Sequence, residues 1–534
     1  MTRLRLAAQD GYTMAAVMMV LLATSIMASA TFAAVGGDIP FTRESQDRKQ
    51  AYAAAEAGIE YYLYQLTRDN DYWKTCDTAP GPNGEPNPVN QPNPTAAARR
   101  WRDLHGAPDS QFSIELLPAN GAPRCEVSTA AQPTRADQTM IDQSSGTFRI
   151  RSTGTSRGVR RSIVTTFRRN SFLDFIYFTD YEALDPLTFA SETDRNTARS
   201  LCVKYREERN DNAWCSQSPH NVNITFPNWD RINGPLHTND DSLLTCGSPV
   251  FGRTKKDSIE VVGTAPPAYR AGCAGSSPTF NGTVRQPWEH LDVPPSNERL
   301  KEATLSGYLF HGRTTIVLDG TRMDVSTRSP TNANTIITHN DMALPENGVV
   351  FVEKVGTCSI DSPVRIRYDN TGNGCAVLTV QGDYAKSLTL GSRDDILING
   401  DLEMTDNSDA VLGLIAQRFV RVMHGVGTSC GDNVASQTLD EVTIEAAILA
   451  LNDSFIVDNW QCGDELERLT VFGAIAQRFR GPVGTFSGST LSTGYPKDYR
   501  YDDRLRYRSP PYFVEPVKAS WKIIRNNEQI PAAK

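Results

Sequence analysis

The sequence predicts an α+β chain that is mostly β. A long N-terminal transmembrane α-helix leads into β-rich segments and then a β-solenoid of the parallel β-helix kind, with a β-sandwich as the alternative. Three observations predict this. No charged residue occurs from Gly11 to Gly37. Short aliphatic runs punctuated by Gly, Asn and Asp fill the stretch from about 348 to 486. Within that stretch, Gly413-Leu-Ile-Ala-Gln-Arg-Phe419 returns 60 residues later as Gly473-Ala-Ile-Ala-Gln-Arg-Phe479, changed at one of seven positions.

At 534 residues the chain exceeds one ordinary core, so several domains are expected. It is 39% hydrophobic and 22% charged, a globular composition. A net charge of −8 and a pI near 5.5 disfavour nucleic acid as the main partner. The local cluster Arg157, Arg160, Arg161, Arg168 and Arg169 reads as a solvated face.

The apolar part, Tyr12 to Val35, would be about 36 Å long as a helix, enough to cross a hydrocarbon core of about 30 Å. Arg3 and Arg5 precede it and Asp38 follows, so the positive-inside rule leaves the N-terminus cytoplasmic and exports the rest. The run is longer than a cleaved secretory signal requires, although Ala28-Ser29-Ala30 has a small-x-small pattern. Tyr52, Ala55, Ile59, Tyr62, Leu63 and Leu66 then keep helical spacing, with Pro40 expected to kink or break the path between the two halves.

A short basic leader ending in Asp10-Gly11, then Tyr12-Thr13-Met14 and a long apolar helix, resembles the prepilin-type N-terminus of type IV pilus minor pilins and pilin-like assembly proteins. The stretch Ala51 to Gly58 is similar to a segment many minor pilins carry after the membrane helix. The resemblance covers about the first 70 residues. It implies cleavage between Gly11 and Tyr12 by a prepilin peptidase, and methylation of the new N-terminus at Tyr12. Major pilins have a glutamate at the fifth mature position, whereas this chain has Ala16. Some minor pilins lack it too, including tip subunits, so its absence fits a tip or initiator role better than the bulk filament.

Beyond the helix, Ala79 to Pro94 holds six prolines, two glycines and four asparagines and reads as an extended loop. Gly146 to Arg151 and Val159 to Phe167 read as two strands joined by a Gly-rich turn, the outline of a pilin head. Residues Arg231 to Asp241 resemble a segment of large bacterial pilus-assembly proteins. The expected division is a leader over 1–11, the helix over 12–70, a pilin-like β head over 71–170, a loop-rich β domain over 171–345, a β-solenoid over 346–490, and a C-terminal cap over 491–534.

Ten cysteines occur with no C-x-x-C pair, so the strongest zinc spacings are missing. An even number on an exported chain reads as five disulfides. Successive pairing gives Cys76–Cys125, Cys202–Cys215, Cys246–Cys273, Cys358–Cys375 and Cys430–Cys462, each closing a local loop.

Candidate chemistry is thin. Gly154-Thr-Ser-Arg-Gly158 matches G-x-S-x-G, but Val159 to Phe167 reads as a strand where a nucleophile elbow needs a helix, so a hairpin turn is expected. The seven histidines lack paired metal spacing, and His237 beside Asn239, Asp240 and Asp241 reads as a solvated turn. Asp369 to Gly374 echoes a calcium loop without the twelfth-position glutamate. Asp394, Asp395, Asp401 and Asp406 would be the acids of a β-helix glycan enzyme, but read better as turn formers.

The expectation is therefore a non-enzymatic minor-pilin-like subunit with no cofactor and no metal. It would be a single-pass protein of the cytoplasmic membrane, later carried to the pilus or cell surface. Its partners would be other pilin subunits through the helix, the membrane, the peptidase and a surface ligand. The alternatives are a signal-anchored enzyme acting on surface polysaccharide, and a DNA-uptake pseudopilus subunit.

Overall fold

The computed structural model describes residues 12–68, 72–74, 87–119, 140, 142 and 147–533, except 170, 265, 359–367, 369–371, 406–407, 429, 488–489, 507 and 517–520. The chain is mostly β, with one long N-terminal helix, α1 (Tyr12–Arg68), whose first half is apolar. The helical backbone runs unbroken through Pro40, which corrects the expected interruption. An interior proline costs about 3 kcal/mol and one i→i−4 hydrogen bond. The helix-forming stretches on either side carry the backbone across it.

The second half of α1 packs on an antiparallel sheet. Strands β1 (Ala107–Leu117), β2 (Thr147–Ser156) and β3 (Val159–Arg169) pair in sequence. Arg157 and Gly158 form the β2–β3 turn with positive φ of 46° and 87°, the conformation of a two-residue hairpin loop. The G-x-S-x-G segment is thus a hairpin turn. Ala55, Ile59, Tyr62 and Leu66 bury one helix face against Phe112, Ile114, Phe148, Ile150 and Phe167. Two glycines set the closeness of this contact. A methyl on Gly58 would meet the Ser152 hydroxyl at 2.2 Å, and one on Gly154 would meet the Ala51 carbonyl oxygen at 2.0 Å.

The larger sheet is dominated by parallel pairing. Its main ladder is built from β4 (Tyr177–Tyr181), β5 (Leu236–Thr238), β6 (Ser258–Val261), β7 (Thr283–Arg285), β8 (Leu309–His311), β9 (Val349–Glu353), β10 (Leu388–Ser392), β11 (Leu412–Ala416), β12 (Glu441–Ala450) and β13 (Arg468–Phe479). The spatial order is β8-β9-β10-β11-β12-β13-β4-β5-β6-β7. The chain therefore enters in the middle at β4, builds outward to β7, crosses to the far end at β8, and returns rung by rung until β13 lies on β4. Strands on both sides of residue 345 share this sheet, so that expected boundary is not a boundary between sheets. A second parallel ladder runs through Thr314–Gly320, Leu378–Tyr384, Ile396–Met404, Val420–Val422 and Phe455–Val457. Leu390, Leu414, Ile448 and Ile475 are fully buried in successive rungs. Inside-facing aliphatic side chains from both ladders form one continuous core.

The heptapeptide echo lies on this ladder one residue out of step. Leu414 stacks on Ile448 and then Ile475, whereas the repeat aligns it with Ala474. The repeat thus does not mark stacked positions: its first copy leaves its strand after Ala416, while its second lies wholly within β13. Residues 286–308 cross the outside of the ladder as a strap. The Asn297 amide donates to the Ser392 carbonyl at 2.7 Å, and Asn239 accepts from the Leu291 amide at 3.0 Å.

The C-terminal segment is not a cap, contrary to expectation. Lys497–Tyr501 inserts as a parallel strand between β13 and Arg231–Asn233. The last strand, β14 (Trp521–Gln529), pairs antiparallel with β3 of the N-terminal sheet. Its anchor is apolar: Trp521 is buried edge-to-face on Phe148 at 4.7 Å. The β8 end of the ladder is covered instead by the hairpin Arg322–Ser329 and Asn332–Ala343, through buried Met323 and Val325.

Candidate functional site

The first half of α1 is built unlike the rest of the molecule. Met14–Thr31 has a mean hydropathy of 1.9, no charged side chain, and no part buried by the protein. Met14, Val17, Met18 and Leu21 are each more than half exposed. Leaving that many large apolar side chains in water is costly at about 25 cal/mol per Å². Ala16, where major pilins have their glutamate, lies on this exposed stretch. Tyr12 opens the helix, while Gly11 lies outside the described residues.

Four of the expected cysteine pairs are disulfides: Cys202–Cys215, Cys246–Cys273, Cys358–Cys375 and Cys430–Cys462. Cys76 and Cys125 lie outside the described residues, as do Asp406 and Asp369 to Thr371.

The carboxylates singled out as enzyme candidates are engaged separately. Asp394 accepts from the Ala376 amide at 3.0 Å and pairs with Lys354 at 2.7 Å. Burial pushes its carboxyl above the usual range, against the pull of Lys354. Asp395 and Asp458 flank the buried Arg421 at 3.1 and 2.7 Å, and Tyr368 donates to Asp458 at 2.9 Å. Asp401 accepts from the Thr443 amide at 2.8 Å. Among the described residues, no three His, Cys, Asp or Glu side chains gather as a metal site.

His237 is a correction. It sits on β5, fully buried, with Nδ1 3.0 Å from Glu260 and Nε2 3.1 Å from Asn239. Its neighbours Asp240 and Asp241 sit at the strand end, where Asp240 pairs with the buried Arg209 at 3.2 Å. The polar run looked like a turn because the parallel partners that bury it come from distant sequence.

Sequence reasoning missed two features. One is a buried charge network where the first rung meets the last. Arg480 pairs with Glu182 at 3.3 Å and lies 3.5 Å from the Phe226 ring centroid, and Lys497 pairs with Asp230 at 2.6 Å. Burial holds the Lys497 ammonium below its usual value. The other is a groove of about 830 Å³ between the outer face of the N-terminal sheet and rungs β5 to β7. Arg168, Lys256, Arg285, Arg506, Lys522 and Arg525 line it, with Asp174, Glu260 and Glu289 as its acids. No periodic signal marks it, because its residues come from three separated segments.

No family model matches the chain, and no curated protein does so at a significant level. Among solved structures, the competence-associated pilin ComZ from Thermus thermophilus aligns with 91% of this chain and 98% of its own, at 15% identity and a TM-score of 0.28.

Proposed function

We propose that this chain is a non-enzymatic minor-pilin-like subunit of a type IV pilus or related filament, anchored by α1 and presenting a large β-rich head. The single observation that carries the reading is α1 itself. Its bare apolar half continues without a break into a half clamped to the N-terminal sheet at Gly58 and Gly154. Such a rod first suits a bilayer and then, by the same apolar surface, packing among similar helices.

In this reading Gly11–Tyr12 is the processing bond and Tyr12 the methylated N-terminus. The protein begins as a single-pass protein of the cytoplasmic membrane and moves to the cell surface. Residues 71–169 with β14 form the pilin-like head. The parallel ladders of 171–501 wind as one β-solenoid; consecutive parallel rungs support that winding over an antiparallel sandwich. Ala16 and the bulk of the head support a tip or initiator role, where no subunit above needs the missing carboxylate. Cys76 and Cys125 are the fifth disulfide pair of this reading.

Intact mass and N-terminal sequencing of the protein from its native membranes test this. A start at Tyr12 with one added methyl group, together with co-purification in sheared filaments, is the expected result. A start near Thr31, or a protein released freely from cells, overturns it.

A further inference from the structure

We propose that the groove between the N-terminal sheet and rungs β5 to β7 binds a carboxylate-bearing sugar chain. The inference rests on the ectodomain and stands apart from the filament reading. In a chain of net charge −8, this groove gathers six cationic side chains against three acids. Arg168 and Lys522 share Asp174, at 3.0 and 2.7 Å. Arg285 lies 3.9 Å from Glu260 and Arg506 lies 3.5 Å from both Asp257 and Asp503, whereas among the described residues no carboxylate pairs with Lys256 or Arg525, so these two supply the cationic surplus that faces the open groove. On the opposite wall the Arg285 guanidinium lies over the Trp288 ring at 4.7 Å, and the indole is 40% exposed. A guanidinium takes a carboxylate through two parallel hydrogen bonds, and an indole face covers the apolar face of a sugar ring.

The floor selects among anionic ligands. Ser258, Thr147 and Thr166 supply hydroxyls, and Glu260 is held in place by buried His237 at 3.0 Å. Together with Asp174 and Glu289, these groups accept and donate to sugar hydroxyls. A single exposed indole is fewer than the row of stacking platforms that single-stranded nucleic acid uses.

Geometry excludes the membrane surface as the anion source. The turn at Arg157 touches Asp47 on the membrane side of α1, at 3.7 Å. Thr147 and Arg168 lie at the other end of the same strands, about 30 Å farther along at roughly 3.4 Å per residue.

The test is calorimetric titration of the full chain in detergent micelles with three probes: an oligogalacturonate, its carboxyl-reduced neutral counterpart, and duplex DNA. The uronate is expected to bind, with the neutral oligomer at least about tenfold weaker. Trp288→Ala is expected to weaken uronate binding about thirtyfold, and Arg285→Gln to narrow the gap between charged and neutral oligomers. Arg322→Ala, on the hairpin at the far end, should change nothing. Absence of uronate binding in the millimolar range, equal binding of both oligomers, or tighter binding of DNA with a steep salt dependence each overturns the proposal. The comparison of the two oligomers needs no variant, so a misfolded Trp288→Ala protein leaves the test intact.

Discussion

The contact between α1 and its sheet makes a sharp prediction, because two neighbouring glycines face different kinds of obstacle. A Cβ on Gly154 would lie 2.0 Å from the Ala51 carbonyl oxygen, 2.4 Å from the Ala55 nitrogen and 3.0 Å from the Ala54 carbonyl carbon. All three are helix backbone, which no rotamer change can move. The helix must instead lift by about 1 Å from a close-packed face, a change of the kind that costs about 3 kcal/mol. On Gly58 the obstacle is the Ser152 hydroxyl at 2.2 Å, with the Phe112 ring next at 3.1 Å. That hydroxyl is buried and has no hydrogen-bond partner among the described residues, so it loses nothing by rotating away. Alanine at 58 also gains about 1 kcal/mol of helix propensity. Gly154→Ala should therefore speed amide exchange over residues 50–66 by about a hundredfold, converting 3 kcal/mol at 1.4 kcal/mol per decade. Gly58→Ala should leave it near the native level, and adding Ser152→Ala should remove any residual loss. Hydrogen exchange with mass readout on the detergent-solubilised protein measures both. Equal effects of the two substitutions would show that the helix is not seated against β2 as described.

Three further predictions concern the ladder. Asp453 is buried beside the equally buried Asp185, and burial pushes its carboxyl up to about 6, against the pull of Arg418. A carboxyl raised in the folded state is stabilising when protonated, so its contribution is full below its unfolded value near 3.9 and fades as pH rises through 6. Asp453→Asn should flatten the dependence of thermal stability on pH between about 4 and 6.5; an unchanged slope over that range would remove this group as the cause. Arg421→Ala strands Asp395 and Asp458 in the core and should cost about 3–5 kcal/mol by denaturant unfolding, whereas Arg421→Met with both acids changed to Asn should recover much of it. The disulfides span sequence separations of 13, 27, 17 and 32 residues. Replacing one pair with serines should lower stability by about 3 kcal/mol, and peptide mapping without reductant should return those four linkages.

Much of the ladder was legible because its information is local. The runs at Ile396–Ile398 and Phe455–Val457 are apolar on both faces, the pattern of strands buried between parallel neighbours, and Leu388–Leu390 and Leu469–Ile475 differ by a threonine among their apolar residues; each lies in a strand. The exposed half of α1 was legible for the same reason. What escaped was pairing between distant segments. Trp521–Gln529 is polar at most positions, since only Trp521 and Ile523 face the core, so nothing in it announces a partner at Val159–Arg169. His237, Asn239 and Asp240 read as loop chemistry until β6, β4 and the strap buried them. The basic groove was invisible in a charge count, because its cations are drawn from sequence positions 168, 256, 285, 506, 522 and 525.

The order in which the ladder is threaded has a consequence for secretion. In the proposed topology the N-terminus stays in the cytoplasm and the chain beyond α1 emerges in sequence order, so β4 crosses long before β13, which must cover it. Strand β3 waits longer still, for β14 near the C-terminus. Until then, two sheet edges remain open to mispairing with any passing chain. A polypeptide cut short before residue 468 would leave both seams open, and one cut short between 480 and 520 would still leave β3 without its partner.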